Sequence, residues 1–191
     1  MSKHQAQRGL STAVRDLFAT ADLWPMDIPI SQSWADMGAQ LMAMQEFGIQ
    51  TYIEIGIDQG GWAALVALRT MSTDLVYRGA DNDLSKLDPR VWEILGCCPQ
   101  ARIIELDCFS PEGVAWLREG LALPGPALVL CDGGDKPREV QLVAPLLRPG
   151  DYVMVHDFTV WCQPEDVPTS LVRLYPPWLD RTLLGLYWRP L

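Results

Sequence analysis

The stretch Thr51-Tyr-Ile-Glu-Ile-Gly-Ile-Asp-Gln-Gly-Gly-Trp62 constrains the fold more than any other part of the chain. Thr51 to Ile55 is rich in β-branched and aromatic residues and alternates poorly, the pattern of a strand buried on both faces of a parallel sheet. Gly56, Gly60 and Gly61 then allow a tight turn and a close backbone approach. Trp62 to Met71 reads as a helix launched straight from that turn. A strand, a glycine turn and a helix N-terminus in succession make a pocket of the nucleotide-binding type.

The glycine spacing narrows the ligand. A dinucleotide fingerprint, G-x-G-x-x-G, needs its second glycine where the backbone approaches a pyrophosphate. Asp58 stands at that position and brings a side chain and a negative charge, which disfavours NAD. An acid at the strand end (Glu54), a glycine two residues on (Gly56) and the Gly60-Gly61 pair opening the helix instead resemble the first motif of the Rossmann-like S-adenosylmethionine (SAM) methyltransferases. The ligand of that family carries a sulfonium and an ammonium, so acids such as Glu54 and Asp58 suit its charge. The competing explanation is a tight strand-to-helix turn that holds no ligand.

The rest of the chain repeats the same alternation. Leu75–Ala80 reads as a second strand ending at Asp81-Asn82-Asp83. Asp81 lies twenty positions after Gly61, where a βαβ pocket places the acid that hydrogen-bonds a ribose. Asn82, Asp83 and Ser85 are read as turn and cap residues. A helix over 89–96 leads to a third strand, Arg102–Leu106, with Asp107 and Cys108 at its end. In the methyltransferase reading Asp107 accepts a hydrogen bond from the adenine amino group; the alternative is a turn into the helix over 111–121, which carries Val114, Leu117 and Leu121 on one face. Strands follow at Ala127–Cys131, ending in Asp132-Gly-Gly-Asp-Lys136, and at Tyr152–Val155, ending in His156-Asp157, with a helix to about Leu147 between them. Thr182–Trp188 is a further strand, and Ser170–Leu174 is either another or a helix end. Ser33 reads as the cap of an earlier helix with Asp36 at its third position, and Trp34, Met37, Leu41 and Met44 fall on one stripe that packs on the sheet.

These elements predict a doubly wound α/β fold: a mostly parallel sheet of six to seven strands with helices on both faces and ligands at the carboxyl ends of the strands. A single domain spans 1–191, with 1–48, including a short helix over 11–19, as an N-terminal helical cover. The net charge of −9 repels a phosphate-backbone partner, so nucleic acid is not expected as a substrate. Residues 1–8 lack the apolar core of a signal peptide and no apolar run approaches a membrane span, so a cytoplasmic chain without a membrane partner is expected. The five cysteines form no C-x-x-C pair and are read as reduced, mostly core residues.

Asp132, His156 and Asp157 close two strands that should be neighbours. Two carboxylates and an imidazole suit Mn²⁺, Fe²⁺ or Zn²⁺, whereas Mg²⁺ prefers oxygen ligands. A metal there would lower the pKa of a substrate hydroxyl, and Lys136, four residues beyond Asp132, is placed to act as base if burial and a nearby cation depress its pKa. A solvated Lys136, a loop-orienting Asp132 and a core histidine at 156 are the plainer readings.

From about Tyr52 to Phe158 the chain resembles the SAM-dependent methyltransferase superfamily, and within it the branch of cephalosporin hydroxylase-like and sugar O-methyltransferase proteins. The resemblance rests on Glu54-Ile-Gly-Ile-Asp-Gln-Gly-Gly61, Asp81, Asp132-Gly-Gly-Asp-Lys136 and Leu147-Arg-Pro-Gly-Asp-Tyr-Val-Met-Val-His-Asp157. It implies SAM at Glu54, Gly56, Gly60, Gly61 and Asp81, and, in metal-dependent members, divalent-ion ligands (Mg²⁺, Mn²⁺ or Fe²⁺) at positions like Asp132 and Asp157; His156 departs from the all-oxygen set usual there. The expected activity is O-methylation of a small-molecule or glycan hydroxyl, with Asp132 and Lys136 as the reacting groups and a homo-oligomer as an open option. Trp161 and Trp178 are candidates for an aromatic or sugar-face contact. Two other readings stay open. One is a glycosyltransferase built on the D-x-D triplet Asp81-Asn82-Asp83; the other is a non-catalytic scaffold of the same fold.

Overall fold

The computed structural model describes residues 28–190. The helix expected over 11–19 therefore lies outside the described residues, as does most of the expected cover. Seven strands form one sheet: β1 (Thr51–Ile55), β2 (Val76–Asp81), β3 (Ala101–Glu105), β4 (Ala127–Cys131), β5 (Tyr152–Val155), β6 (Val172–Leu174) and β7 (Gly185–Trp188). Their order is β3-β2-β1-β4-β5-β7-β6, with β1 to β5 parallel and β7 antiparallel to both of its neighbours. Ser170–Leu174 thus resolves to an edge strand, because β7 offers it a ladder.

Among the described residues five helices cover the sheet: α1 (Trp34–Glu46), α2 (Gly61–Thr70), α3 (Pro89–Cys97), α4 (Pro111–Leu121) and α5 (Lys136–Val143). The central strands are buried on both faces, and successive residues divide between two cores. Tyr52, Leu128 and Met154 pack with Met37, Met44, Trp62 and Val66 of α1 and α2. Ile53, Val129 and Val153 pack with Leu117, Leu121, Val140 and Val143 of α4 and α5. This is the physical reason for the poor alternation in β1: both of its faces meet helices, so every position is apolar or internally paired. Edge strand β3 is half exposed, with Ile104 at 42%.

The stripe expected on α1 is only partly buried. Met37 and Met44 lie in the core and Leu41 packs against it, but Trp34, the first residue of the helix, is 51% exposed. The buried face takes in Asp36 and Gln40 instead. On α4, Leu117 and Leu121 are buried and Val114 half-buried. Four of the cysteines are buried and Cys97 is exposed; all are free. No helix among the described residues is long and apolar enough to cross a membrane.

Because β7 runs against β5, it starts at the carboxyl end of the parallel strands and finishes at their amino ends. There the Arg189 amide donates to Asp151 O (2.9 Å) and its carbonyl accepts from Gly150 N (2.9 Å).

Candidate active site

Strand order reverses between β1 and β4: β1 leads into α2 on one face and β4 into α5 on the other. The carboxyl ends therefore part and leave a crevice between them. A cavity of about 650 Å³ occupies it. The two strand ends are joined by backbone, with Asp132 N donating to Ile55 O (2.9 Å). Gly56 has a φ of 88°, and a β-carbon there would lie 2.6 Å from the Asp132 backbone. Gly60, at φ 83°, caps α2. A β-carbon on Gly61 would sit 2.3 Å from Pro29 O, because residues 29–32 cross the start of α2 and wall the cavity.

The residues expected from the sequence to bind SAM, hold an ion or react all line this cavity: Glu54, Gly56, Asp58, Gly60, Gly61, Asp81, Asp107, Asp132, Lys136, His156 and Asp157. Their present partners differ. Glu54 is 2% exposed and accepts a hydrogen bond from Tyr77 Oη (2.5 Å). Burial pushes its carboxyl up to about 8, against the lowering effect of the Tyr77 hydroxyl. Asp81 uses Oδ2 to accept from the amides of Ile57 (2.7 Å) and Asp58 (3.1 Å), and Oδ1 from Asp83 (3.1 Å), so it latches the glycine turn to β2. Asp58 accepts from Ser31 Oγ (2.7 Å), and Asp107, at the exposed rim, from Phe109 N (2.9 Å). Asp83 caps the 3-10 turn Leu84–Lys86 through Ser85 N (2.9 Å). Both acids of the D-x-D triplet are thus engaged by backbone amides.

On the other side of the crevice, the ligand-type atoms of Asp132, His156 and Asp157 lie within 4.8 Å of one another. His156 is buried, with Nδ1 2.8 Å from Asp132 Oδ1 and Nε2 facing Asp36 Oδ2 at 3.8 Å. Burial opposes the charged ring, but the hydrogen bond to Asp132 and the facing Asp36 and Asp157 carboxylates outweigh it and lift the imidazole to about 10. Lys136 is 8% exposed. Its ammonium lies 3.6 Å from Asp132 Oδ1 and 3.5 Å from Asp157 Oδ2 and donates to Gly133 O (2.9 Å). Two carboxylates and an imidazole fit a borderline divalent ion in number and type. Asp132, His156 and Asp157 would hold it, and binding would displace the proton on His156 Nδ1. Asp157 (φ 51°) and Thr159 (φ 70°) hold left-handed conformations in the loop after β5, a strain of the kind that collects at functional sites.

Several site residues carry no local sequence signal. Asp36 occupies the capping-box position, yet its Oδ1 accepts from Leu183 N (2.9 Å) and its Oδ2 faces His156. Burial raises its carboxyl, but the facing His156 imidazole, the hydrogen bonds from Ser33 and Leu183 and the charge of His156 together hold it below the usual range. Glu139, buried under the loop after β4, accepts from Gly133 N (3.1 Å) and Asp135 N (3.2 Å). Burial outweighs those bonds and brings it to about 7. The two tryptophans are not part of the cavity wall. Trp178 donates to Glu46 Oε2 (2.6 Å) beside Phe47, where the end of α1 gives its indole a carboxylate and a ring to pack on. Trp161 is 69% exposed on the loop after Asp157.

Residues 18–177 match the family model described as Rhamnosyl O-methyltransferase/CmcI. Among solved structures the fold is similar to CmcI with S-adenosylhomocysteine (SAH), at TM-score 0.59 and 20% identity over 90% of each chain. It is similar to a Staphylococcus aureus protein described as a caffeoyl-CoA O-methyltransferase, at TM-score 0.56 and 10% identity over 97% of this chain and 95% of that one. A third likeness is TomG from Streptomyces achromogenes, an O-methyltransferase of tomaymycin synthesis in complex with SAM, at TM-score 0.54 and 14% identity over 95% and 89%. At these identities the likeness is one of fold. No curated protein matches the sequence significantly.

Proposed function

The chain belongs to the Rhamnosyl O-methyltransferase/CmcI family, and from that premise we propose that it transfers a methyl group from SAM to a hydroxyl of a small-molecule or glycan acceptor. The observation that carries this reading is the convergence, in one cavity at the β1–β4 switch point, of the glycine turn with Glu54 and Asp81 on one side and the Asp132–Lys136–His156–Asp157 group on the other. SAM supplies an electrophilic methyl on a sulfonium, and the protein's task is to hold that methyl in line with an acceptor oxygen and remove the oxygen's proton.

Glu54 and Asp58 offer negative charge to the ligand's cationic groups, and Gly56, Gly60 and Gly61 let the backbone close on it. Asp81 accepts from the ribose hydroxyls with the lone pairs its three amide donors leave free. Asp107, at the rim, accepts from the adenine amino group. On the acceptor side, Lys136 stands where the Asp132 and Asp157 carboxylates converge. In its neutral form it takes the hydroxyl proton, while Asp132 orients the hydroxyl. Asp132, His156 and Asp157 are the residues that would hold a divalent ion, whose Lewis acidity favours the alkoxide form of the acceptor.

Titration with SAH by calorimetry, with and without Mn²⁺, tests the reading. Saturable binding of SAH supports it, and an effect of Mn²⁺ on that binding or a separate Mn²⁺ isotherm supports the ion site. Absence of SAH binding in both conditions overturns the SAM assignment.

A further inference from the structure

A one-way chain of hydrogen bonds runs from the first turn of α2 to Asp132. Trp62 Nε1 donates to Tyr52 Oη (3.0 Å), Tyr52 donates to Gln40 Oε1 (2.5 Å), Gln40 Nε2 donates to Gln32 Oε1 (2.5 Å) and Gln32 Nε2 donates to Asp132 Oδ2 (2.7 Å). Trp62, Tyr52 and Gln40 are buried, so solvent does not supply substitutes. An indole nitrogen can only donate, and an ionised carboxylate can only accept. With the direction set at both ends, the hydroxyl rotor of Tyr52 and the amide orientations of Gln40 and Gln32 each have one arrangement that leaves no donor facing a donor. Reversing any member sets like groups face to face or leaves a polar group unpaired, which disfavours the reversed arrangement.

We infer that Gln32 is a positioning residue of the transfer centre, latched by this relay so that its amide protons hold Asp132. The inference rests on the reading above only in taking Asp132 to lie at that centre. Asp132 is then gripped from two sides, by Gln32 on Oδ2 and by His156 Nδ1 on Oδ1. Its carboxylate plane is fixed by one residue of the segment that walls the cavity and one at the end of β5. The relay also joins α1 to the centre. Gln40 of that helix orients Gln32, while Asp36, one turn earlier on the same helix, faces the other nitrogen of His156. The buried polar face of α1 thereby has a job that core packing does not require, and polar groups of this kind are kept in cores chiefly when every member of the network is satisfied.

The test reads the Nδ1–H proton resonance of His156 by NMR in chelator-treated protein. The chain has two histidines, His4 and His156, so a His4→Gln background leaves one imidazole signal to follow. Gln32→Leu removes the donor from Oδ2 and concentrates charge on Oδ1, and the resonance moves downfield. Tyr52→Phe, which keeps the buried ring but removes the hydroxyl that anchors Gln40 Oε1, leaves Gln40 and through it Gln32 less firmly held and moves it in the same direction. An unmoved resonance in Gln32→Leu overturns the inference. A shift in Gln32→Leu that Tyr52→Phe does not share overturns the relay. SAH calorimetry on the same samples keeps the two questions apart. A wild type that fails to bind SAH removes the SAM reading and leaves the resonance shifts to decide the relay.

Discussion

Gly56 and Asp132 meet backbone to backbone: a β-carbon at 56 would stand 2.6 Å from the Asp132 carbonyl carbon, and the φ of Gly56 is 88°. Neither the clash nor the left-handed conformation can be relieved by a side-chain rotation. Gly56→Ala should therefore lower the unfolding free energy by at least about 2 kcal/mol. Gly134 is the control, since a β-carbon there meets nothing within 4 Å. Gly134→Ala should change stability by less than about 0.5 kcal/mol. Urea midpoints at constant m-value measure both, and equal midpoints would mean that the turn relaxes without cost.

Asp81 has two tasks that substitution separates. Asp81→Ala should weaken SAH binding by about 1.5–3 kcal/mol, the range for a hydrogen bond to a charged group. It also strips the acceptor from the amides of Ile57 and Asp58. Asp81→Asn keeps an oxygen for those amides, so it should recover the thermal stability lost by Asp81→Ala while recovering less of the affinity. Calorimetric affinity unchanged in both variants would sink the ribose assignment.

Glu54 links cofactor binding to protons. Buried and lifted to about 8, it is mostly protonated in the free protein near neutrality, and a bound cation favours its ionised form. Affinity for SAM should rise between about pH 6 and 7.5, below the range where an α-amino group itself loses its proton. Binding should release a proton, seen as a dependence of the calorimetric enthalpy on buffer ionisation heat. A pH-independent affinity with no proton release would show that Glu54 stays neutral beside the ligand.

The same shifts fix the sign of the protein's own pH dependence. Glu54, Glu139 (about 7) and His156 (about 10) all have folded pKa values above their ordinary ones. Each therefore favours the folded state most below its unfolded pKa, and that support is lost as pH rises through the folded value. The native state binds more protons than the unfolded state from about pH 4.5 to 10, and ligand-free stability should fall across that window. Asp36, held below its ordinary range, works the opposite way and is lost on acidification. Thermal midpoints rising steadily from pH 6 to 9 would contradict the assignment.

Asp157→Ala should abolish any Mn²⁺ isotherm while leaving SAH affinity within about threefold, since Asp157 sits across the crevice from the glycine turn. If Mn²⁺ binds the variant as it binds the wild type, the ion lies elsewhere.

The fold was legible because its strands are short apolar runs closed by turn residues. Ala127–Cys131 and Tyr152–Val155 fall where the sequence places them, and Val76–Asp81 and Ala101–Glu105 differ by one residue at each end. The acids of the cavity were legible because a parallel sheet puts its ligands at strand ends, so Glu54, Asp81, Asp132 and Asp157 declare themselves by following apolar runs. Asp36, Gln32 and Gln40 were not. Asp36 reads locally as a capping residue, and its tertiary partner Leu183 is 147 residues away; Gln32 meets Asp132 across 100. The placement of Trp178 against Glu46, 132 residues apart, is invisible for the same reason. A hydrogen bond between distant segments leaves no periodicity in either.

The reversed direction of β7 settles where the molecule can be handled. Because that strand carries the chain from the cavity end of the sheet to its base, where Arg189 is pinned to Gly150 and Asp151, an affinity tag, fluorophore or sensor surface joined beyond Pro190 hangs from the side opposite the mouth. Immobilisation by the carboxyl-terminal side is the geometry in which binding to the open crevice is measured without interference.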